Sequence, residues 1–141
     1  MPNKVRFPYI ASEPMLSETS LRPILPIKLA HEGRSLDAMG LLDTGATVNV
    51  MPFSVGLRLG AEWDALTVSV QLTGNLSQLE ARGLLVQASV AEFPPVRLAF
   101  AWTRADNVPL LLGQVNFFME FDVCFYRSDG VFDLIPAHSR E

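Results

Sequence analysis

One carboxylate in this sequence is placed where a side chain could do chemistry. Asp43 follows the apolar pair Leu41 and Leu42 and precedes Thr44 and Gly45. An Asp in such a turn accepts hydrogen bonds from neighbouring backbone N–H groups, and the glycine permits a close backbone approach or a positive φ. We therefore predict that Asp43 is held in a fixed position, as acid–base chemistry requires.

Hydrolysis by carboxylates alone needs two of them around one water, one ionised as the base and one protonated as the acid. Two aspartates a few ångströms apart share one proton, because they cannot both ionise. The other aspartates lie in polar or turn contexts without a following Thr-Gly or Ser-Gly; they are Asp37, Asp64, Asp106, Asp122, Asp129 and Asp133. A second carboxylate would therefore have to come from a second copy of the chain.

The motif Asp-Thr-Gly-Ala at residues 43–46, together with Leu-Leu-Leu-Gly at 110–113, resembles the retropepsin-like aspartic proteases. In that family the first motif supplies the catalytic aspartate, and the later apolar segment that ends in glycine forms a flanking strand. The resemblance spans residues 22–136. It implies an all-β fold, a small closed β-barrel of the retropepsin type with one short helix.

The resemblance also implies a function, a homodimeric aspartic endopeptidase in which two Asp43 carboxylates, one per chain, activate a water. Thr44, Gly45 and Ala46 would support the catalytic loop. The Thr44 hydroxyl would cross to the partner's loop, or else would bond within its own turn. The residues expected to bind a peptide or protein substrate are Val48, Leu72, Thr73, Gly74, Asn75, Leu76, Leu110, Leu111 and Leu112. No cofactor and no metal are implied.

Two other functions stay open. The chain could be a catalytically idle retropepsin-like module that binds peptide or only dimerises. It could also be an unrelated β domain in which Asp43 is an ordinary turn residue.

The segment that would form the flap has two interpretations. Alternating apolar residues from Leu66 to Leu72 predict a half-buried strand that ends at a hairpin turn around Gly74, and this favours a flap at 72–76. Ser77-Gln78-Leu79-Glu80 also fits a helix capping box, with Gly83 as a helix end. We favour the flap.

The sequence departs from the retroviral pattern at two positions. Retroviral members carry an Asp–Arg ion pair where this chain has Thr47 and Gln114. Because both partners differ together, we expect a neutral hydrogen bond in place of the ion pair.

Composition narrows the class of protein. The length of 141 residues predicts one domain. Because 49% of the residues are hydrophobic and only 18% are charged, we expect self-association to cover the surplus apolar surface. A net charge of −4 without a basic stripe argues against nucleic-acid binding. The absence of a long apolar run and of a signal peptide predicts a cytoplasmic protein without a membrane partner.

Few residues could bind a metal ion or form a disulfide. The single cysteine, Cys124, excludes an internal disulfide and is expected to be buried between Val123 and Phe125. His31 and His138 lie in polar segments without an acidic cluster, which argues against a catalytic metal site.

The remaining pattern predicts short strands. Residues 1–21 are expected to form an extended arm whose Phe7 and Tyr9 pack on the domain, and 137–141 a frayed tail. Strands are predicted at 24–29, 35–42, 84–90, 96–102, 108–113, 121–126 and 131–135, a helix turn or loop at 53–60 and a short helix at 114–120.

Overall fold

The computed structural model describes residues 3–12 and 20–139. The parts of the predicted arm and tail at residues 1–2, 13–19 and 140–141 lie outside the described residues. The strands are β1 (Val5–Pro8), β2 (Ile10–Ala11), β3 (Leu21–Arg22), β4 (Ile24–His31), β5 (Arg34–Leu42), β6 (Asn49–Met51), β7 (Ala81–Ser89), β8 (Val96–Thr103), β9 (Leu111–Leu112), β10 (Phe121–Tyr126) and β11 (Val131–Pro136). The helices are α1 (Phe53–Arg58) and α2 (Phe117–Glu120), with 3₁₀ turns at Trp63–Ala65, Gly74–Leu76, Arg127–Asp129 and Ala137–Ser139.

Six strands close into a barrel in the order β4-β5-β9-β6-β8-β7, and β7 pairs back onto β4. The alternation of β4 sets its inner face, because Leu25, Ile27 and Leu29 are buried while the residues between them are exposed. Glu32 and Gly33 both have positive φ, 44° and 86°, as a two-residue hairpin turn from β4 to β5 requires. The predicted closed all-β barrel is confirmed.

The chain termini form a second sheet outside the barrel. Its order is β1-β11-β10, all antiparallel. On one face Phe132 and Leu134 are fully buried against the main core, and Phe7 stacks on Phe132 with ring centroids 5.4 Å apart. Of the described residues of the predicted arm, β1 belongs to this sheet, whereas β2 pairs with β3 in a separate two-stranded sheet. Phe7 and Tyr9 pack on the domain as expected.

Asp133 lies on the other face of this sheet, with its side chain only 1% exposed. Arg6 donates to both of its carboxylate oxygens, at 2.7 and 3.1 Å, and Lys4 lies 3.8 Å away. The hydrogen bond from Arg6, with the charges of Arg6 and Lys4, lowers the pKa of Asp133 against the opposing effect of burial. This contact ties β1 to β11.

Several elements differ from the sequence prediction. Two short α-helices are found in the described residues, where one was expected. Residues 66–72 do not form a full strand: only Val68 and Val70 bond to the start of β7, because Arg82 binds the carbonyl oxygens of Trp63 and Leu66 and holds that end in a turn. The alternative helix at Ser77 is wrong, since β7 already begins at Ala81.

The C-terminal residues and the cysteine also differ from the sequence predictions. Residues 137–139, expected to be frayed, form a 3₁₀ turn. Cys124 is exposed because it points away from the core face of β10. None of the helices in the described residues is long and apolar enough to cross a membrane.

Candidate active site

Asp43 directly follows β5 and is fixed by its own turn. Its N–H donates to the carbonyl oxygen of Leu112 (3.0 Å), and its carboxylate Oδ1 accepts from the N–H of Gly45 (2.9 Å). The N–H of Ala46 closes the turn on the carbonyl oxygen of Asp43 (3.1 Å). Asp43 is half-buried and Gly45 exposed, so the carboxylate is oriented while remaining open to the surface.

The segment that leaves this turn is bound along its length by residues 113–115. The carbonyl oxygen of Ala46 accepts from the N–H of Gln114 (2.9 Å), and that of Thr47 from the N–H of Val115 (2.9 Å). A Cβ at Gly113 would lie 2.6 Å from the carbonyl oxygen of Val48 and 2.8 Å from that of Ala46. Only glycine allows this approach of the two backbones.

Asn49 lies below this contact and is fully buried. Its Oδ1 accepts from the N–H of Gly113 (2.8 Å), and its Nδ2 donates to the carbonyl oxygen of Ala99 (3.0 Å) and to Oδ1 of Asn116 (3.2 Å). One amide side chain therefore connects β6, β8 and the segment after β9. Because every polar atom of this buried side chain is bonded, Asn49 fixes the position of Gly113 and, through it, the Asp43 turn.

Gln114 makes a bond different from the one predicted. Its Nε2 donates to the carbonyl oxygen of Thr44 (2.8 Å), so its partner is the backbone of the Asp43 turn. Thr47, the expected partner, accepts a hydrogen bond from the N–H of Val115 with its carbonyl oxygen, and its side chain is exposed. The neutral replacement of the ion pair is thus a side-chain to backbone bond.

Thr44 exposes its side chain. Within residues 3–12 and 20–139, its hydroxyl has no hydrogen-bond partner, so it does not satisfy its own turn.

A groove of about 450 Å³ opens beside Asp43. It is lined by Leu41, Asp43, Gly45, Ala46, Thr47, Val48, Val50, Leu72, Thr73, Gly74, Asn75, Leu76, Pro109 and Leu111. Asp43 is the only ionisable side chain among these lining residues, and most of the others are apolar. The groove therefore suits an uncharged, largely apolar chain segment that passes a single carboxylate.

The apolar wall is smaller than predicted. Leu111 lines the groove, whereas Leu110 and Leu112 do not. Successive residues of an extended segment point to opposite sides, so Leu110 and Leu112 pack in the main core while Leu111 joins a second cluster with Val50 and Leu72.

Residues 72–76, the segment predicted as the flap, line the groove and form a compact turn. Leu72 is buried, Thr73 to Asn75 are exposed, and Gly74 takes φ 63° at the start of the 3₁₀ turn. The amide of Gln71 donates to the carbonyl oxygens of Leu72 (3.0 Å) and Ser77 (3.2 Å), which closes the base of this turn. We call residues 72–76 the roof.

A larger depression, of about 540 Å³, lies on the outside of β4 and β5. Lys28 and Asp37 are its charged lining residues. It is separate from the Asp43 turn, so its size does not make it the candidate site.

Sequence reasoning missed Asn49, Leu41, Val50 and Pro109. Asn49 had a signal, because a polar residue between two valines in a short apolar strand must find hydrogen bonds once it is buried. The other three residues lie next to predicted site residues, and only the folded groove brings them into its lining.

Comparison with solved structures supports the fold. The sequence matches no protein-family model and no curated protein. The crystal structure of a retropepsin-like aspartic protease from Rickettsia conorii is similar with a TM-score of 0.64 at 13% identity, over 96% of this chain and 94% of that one. This chain has a retropepsin-like fold. A further match, EIAV protease complexed with the inhibitor HBY-793, has a TM-score of 0.48 at 20% identity, over 66% of this chain and 82% of that one.

Proposed function

We propose that this retropepsin-like protein is a homodimeric aspartic endopeptidase. The observation that carries the proposal is the place of Asp43, a carboxylate oriented by its own turn in an apolar groove whose lining, in the part of the chain that the structure describes, has no other ionisable residue. A groove with one carboxylate is half of a two-carboxylate site. A second copy related by a two-fold axis would supply the other half.

The chemistry follows from two Asp43 side chains that share one proton. The ionised carboxylate takes a proton from a water, whose oxygen attacks the carbonyl carbon of the peptide bond. The protonated carboxylate of the second copy gives its proton to the carbonyl oxygen. The tetrahedral intermediate then collapses: the first carboxylate gives the water proton to the amide nitrogen, a hydroxyl of the intermediate returns a proton to the second carboxylate, and the C–N bond breaks to release the amine and the acid.

The surroundings of Asp43 support this arrangement. The exposed Thr44 hydroxyl is available to bond across to the loop of the second copy. The backbone of the roof can donate to an extended peptide, and the apolar wall of Val48, Val50 and Leu111 favours hydrophobic residues beside the cleaved bond. A catalytically idle peptide-binding module is the second candidate, because the same groove would bind peptide without turnover.

Digestion of a peptide library by the wild type and by Asp43→Asn tests the proposal. The amide is nearly the same size as the carboxylate, so the variant keeps the fold and loses the acid–base group. We expect cleavage beside hydrophobic residues by the wild type and none by the variant. Equal cleavage by both would move the chemistry elsewhere, and peptide binding without cleavage by the wild type would favour the idle module.

Activity should also depend on pH in a defined direction. The pair must hold one proton, so the rate should be highest at acidic to mildly acidic pH and fall as both carboxylates ionise. A rate that still rises above neutrality would contradict the two-carboxylate mechanism.

A further inference from the structure

Arg82 binds the segment that leads into the roof. It lies near the start of β7, and its side chain is 26% exposed. Its Nη1 donates to the carbonyl oxygens of Trp63 (2.6 Å) and Leu66 (3.3 Å). One guanidinium nitrogen carries two N–H groups, so it can serve both carbonyl groups at once. Arg82 therefore fixes the point from which the chain runs toward the roof.

The same guanidinium stacks on a ring that is anchored in the barrel core. The Cζ of Arg82 lies 4.6 Å from the ring centroid of Trp63. Trp63 is buried and packs edge-to-face on the fully buried Trp102 of β8, with ring centroids 5.3 Å apart. A planar cation on an aromatic face is held in one orientation, and its donors are held with it. The bonds from Arg82 thus join the segment before the roof to a fixed part of the core.

Few backbone bonds hold residues 66–71, which we call the limb. The N–H of Gly83 donates to the carbonyl oxygen of Val68 (2.9 Å), and the N–H of Val70 donates to that of Ala81 (3.0 Å). In the part of the chain that the structure describes, these are the backbone hydrogen bonds between the limb and β7. Two-stranded ladders as short as this are weakly stable, so a side chain that fixes the start of the limb also determines where its end lies.

The limb ends at a residue of the groove. Leu72, the first residue of the roof, is buried in the second cluster with Val50 and Leu111, and all three line the groove. A shift of the limb would therefore move Leu72 against this wall and move the roof with it. Arg82 is not itself a lining residue, so its effect on the groove passes through the limb.

We propose that Arg82 is a positioning residue for peptide binding: by holding the limb, it sets the place of Leu72 and of the roof in the groove. The inference rests on the proposed function for its ligand, an extended peptide. A lysine would not replace this arginine. It presents one ammonium group on a flexible chain and cannot stack a planar group on Trp63 while it bonds to both carbonyl oxygens.

Arg104 provides a matched control. Its Cζ lies 5.1 Å from the ring centroid of Trp63 and 5.6 Å from that of Phe53. Among the described residues, the side-chain hydrogen bonds to the carbonyl oxygens of Trp63 and Leu66 come from Arg82 and not from Arg104. Arg104→Lys therefore removes a guanidinium from the same ring and leaves the limb held.

Steady-state cleavage of one peptide by Arg82→Lys and Arg104→Lys gives the first test, with urea unfolding to verify that both variants are folded in the assay. Arg82→Lys should raise KM about tenfold, the effect of losing a charged hydrogen bond. Its kcat should stay within about twofold of the wild type, because Arg82 is remote from the Asp43 turn. Arg104→Lys should change neither constant. Equal KM values in the two variants, or a lower kcat at unchanged KM in Arg82→Lys, would overturn the inference.

Hydrogen exchange without peptide tests the limb directly and requires no catalysis. The amides of Val70 and Gly83 bond between the limb and β7, so they should exchange slowly in the wild type. Arg82→Lys should accelerate both about tenfold, and Arg104→Lys should not. Fast exchange of both amides in the wild type would show that the limb is not held and would overturn the inference. Unchanged exchange in Arg82→Lys would overturn it as well.

The outcomes separate this inference from the proposed function. If the wild type cleaves no peptide, the protease proposal fails, and titration with a peptide analogue replaces the measurement of KM. The analogue carries a hydroxyl-bearing tetrahedral carbon between two hydrophobic residues. Binding about tenfold weaker in Arg82→Lys alone would support the positioning role without any protease activity. Equal binding by the wild type and Arg82→Lys would overturn that role, whatever Asp43→Asn shows about cleavage.

Discussion

At the level of single residues, Gly113 connects the buried support of the site to Asp43. Asn49 binds its N–H from below, and the carbonyl oxygens of Ala46 and Val48 lie where a side chain would begin. The contacting atoms are backbone, which cannot rotate away as a side chain could. A change at Gly113 must therefore move the turn that carries Asp43.

We expect Gly113→Ala to cost about 1–3 kcal/mol of unfolding free energy, as overpacking does, and to abolish most peptide cleavage. Gly83→Ala is the matched control on β7, because the nearest atom to its added Cβ is 3.8 Å away. Urea unfolding and peptide cleavage of both variants provide the measurement. If the two variants behaved alike, Gly113 would not be the support we describe.

The side chain of Gln114 offers a milder change at the same turn. Gln114→Ala removes the donor to the carbonyl oxygen of Thr44 and leaves the backbone bond to Ala46 intact. This hydrogen bond is exposed, so we expect a stability loss of at most about 1 kcal/mol. Cleavage should fall more than stability does, because the bond orients the turn. Unchanged kcat/KM would show that the turn is rigid without it.

The Asp43 turn was predictable from sequence because its geometry is local: Asp, Thr and Gly determine it within a few residues. The roles of Asn49 and Gln114 were harder to predict from the sequence. Their partners lie 64 and 70 positions away along the chain, and only the fold selects them.

At the level of elements, the roof is the part most open to a direct test. Gly74 has φ 63°, and an added Cβ would meet no atom within 4 Å, so Gly74→Ala adds backbone strain of about 1 kcal/mol without a clash. Gly33→Ala is matched, with positive φ and open space in the turn between β4 and β5. We expect similar stability losses but a lower kcat/KM only for Gly74→Ala.

Hydrogen exchange provides a second readout of the roof. A peptide analogue with a hydroxyl-bearing tetrahedral carbon in place of the scissile amide should slow exchange at residues 72–76. If amides elsewhere respond and these do not, the roof is not the peptide-binding element.

The free energy of unfolding should depend on pH because of Asp133 in the terminal sheet. Its pKa is lowered in the folded state, chiefly by the hydrogen bond from Arg6. The stabilisation is therefore complete above the unfolded value of about 4 and is lost as pH falls through the lower folded value. We expect Asp133→Asn to be less stable than the wild type at neutral pH, and the difference to shrink below pH about 4 in acid-dependent urea unfolding. A constant difference would exclude ionisation of Asp133 as its cause.

Elements whose sequences show a clear apolar periodicity were the most predictable. β4, β8 and the β10–β11 hairpin follow from apolar periodicity and turn residues. Residues 66–72 alternate as clearly, yet the bonds from Arg82 to Trp63 and Leu66 hold the first part in a turn, a long-range effect that no local pattern contains.

At the level of the whole molecule, the proposed catalysis depends on two copies of the chain. The barrel brings the Asp43 turn, the groove and the roof together in one chain, but among the described residues only one carboxylate lines the groove. The central claim is that catalysis requires Asp43 from both copies.

Mixed dimers test that claim most directly. Wild type and Asp43→Asn are combined in varied proportions under conditions that exchange subunits, and the rate of peptide cleavage is measured at constant total protein. If both carboxylates are needed, the rate follows the square of the wild-type fraction, so an equal mixture retains about a quarter of the activity. A rate that falls linearly, to about half in an equal mixture, would mean that each chain works alone and would contradict the two-carboxylate mechanism.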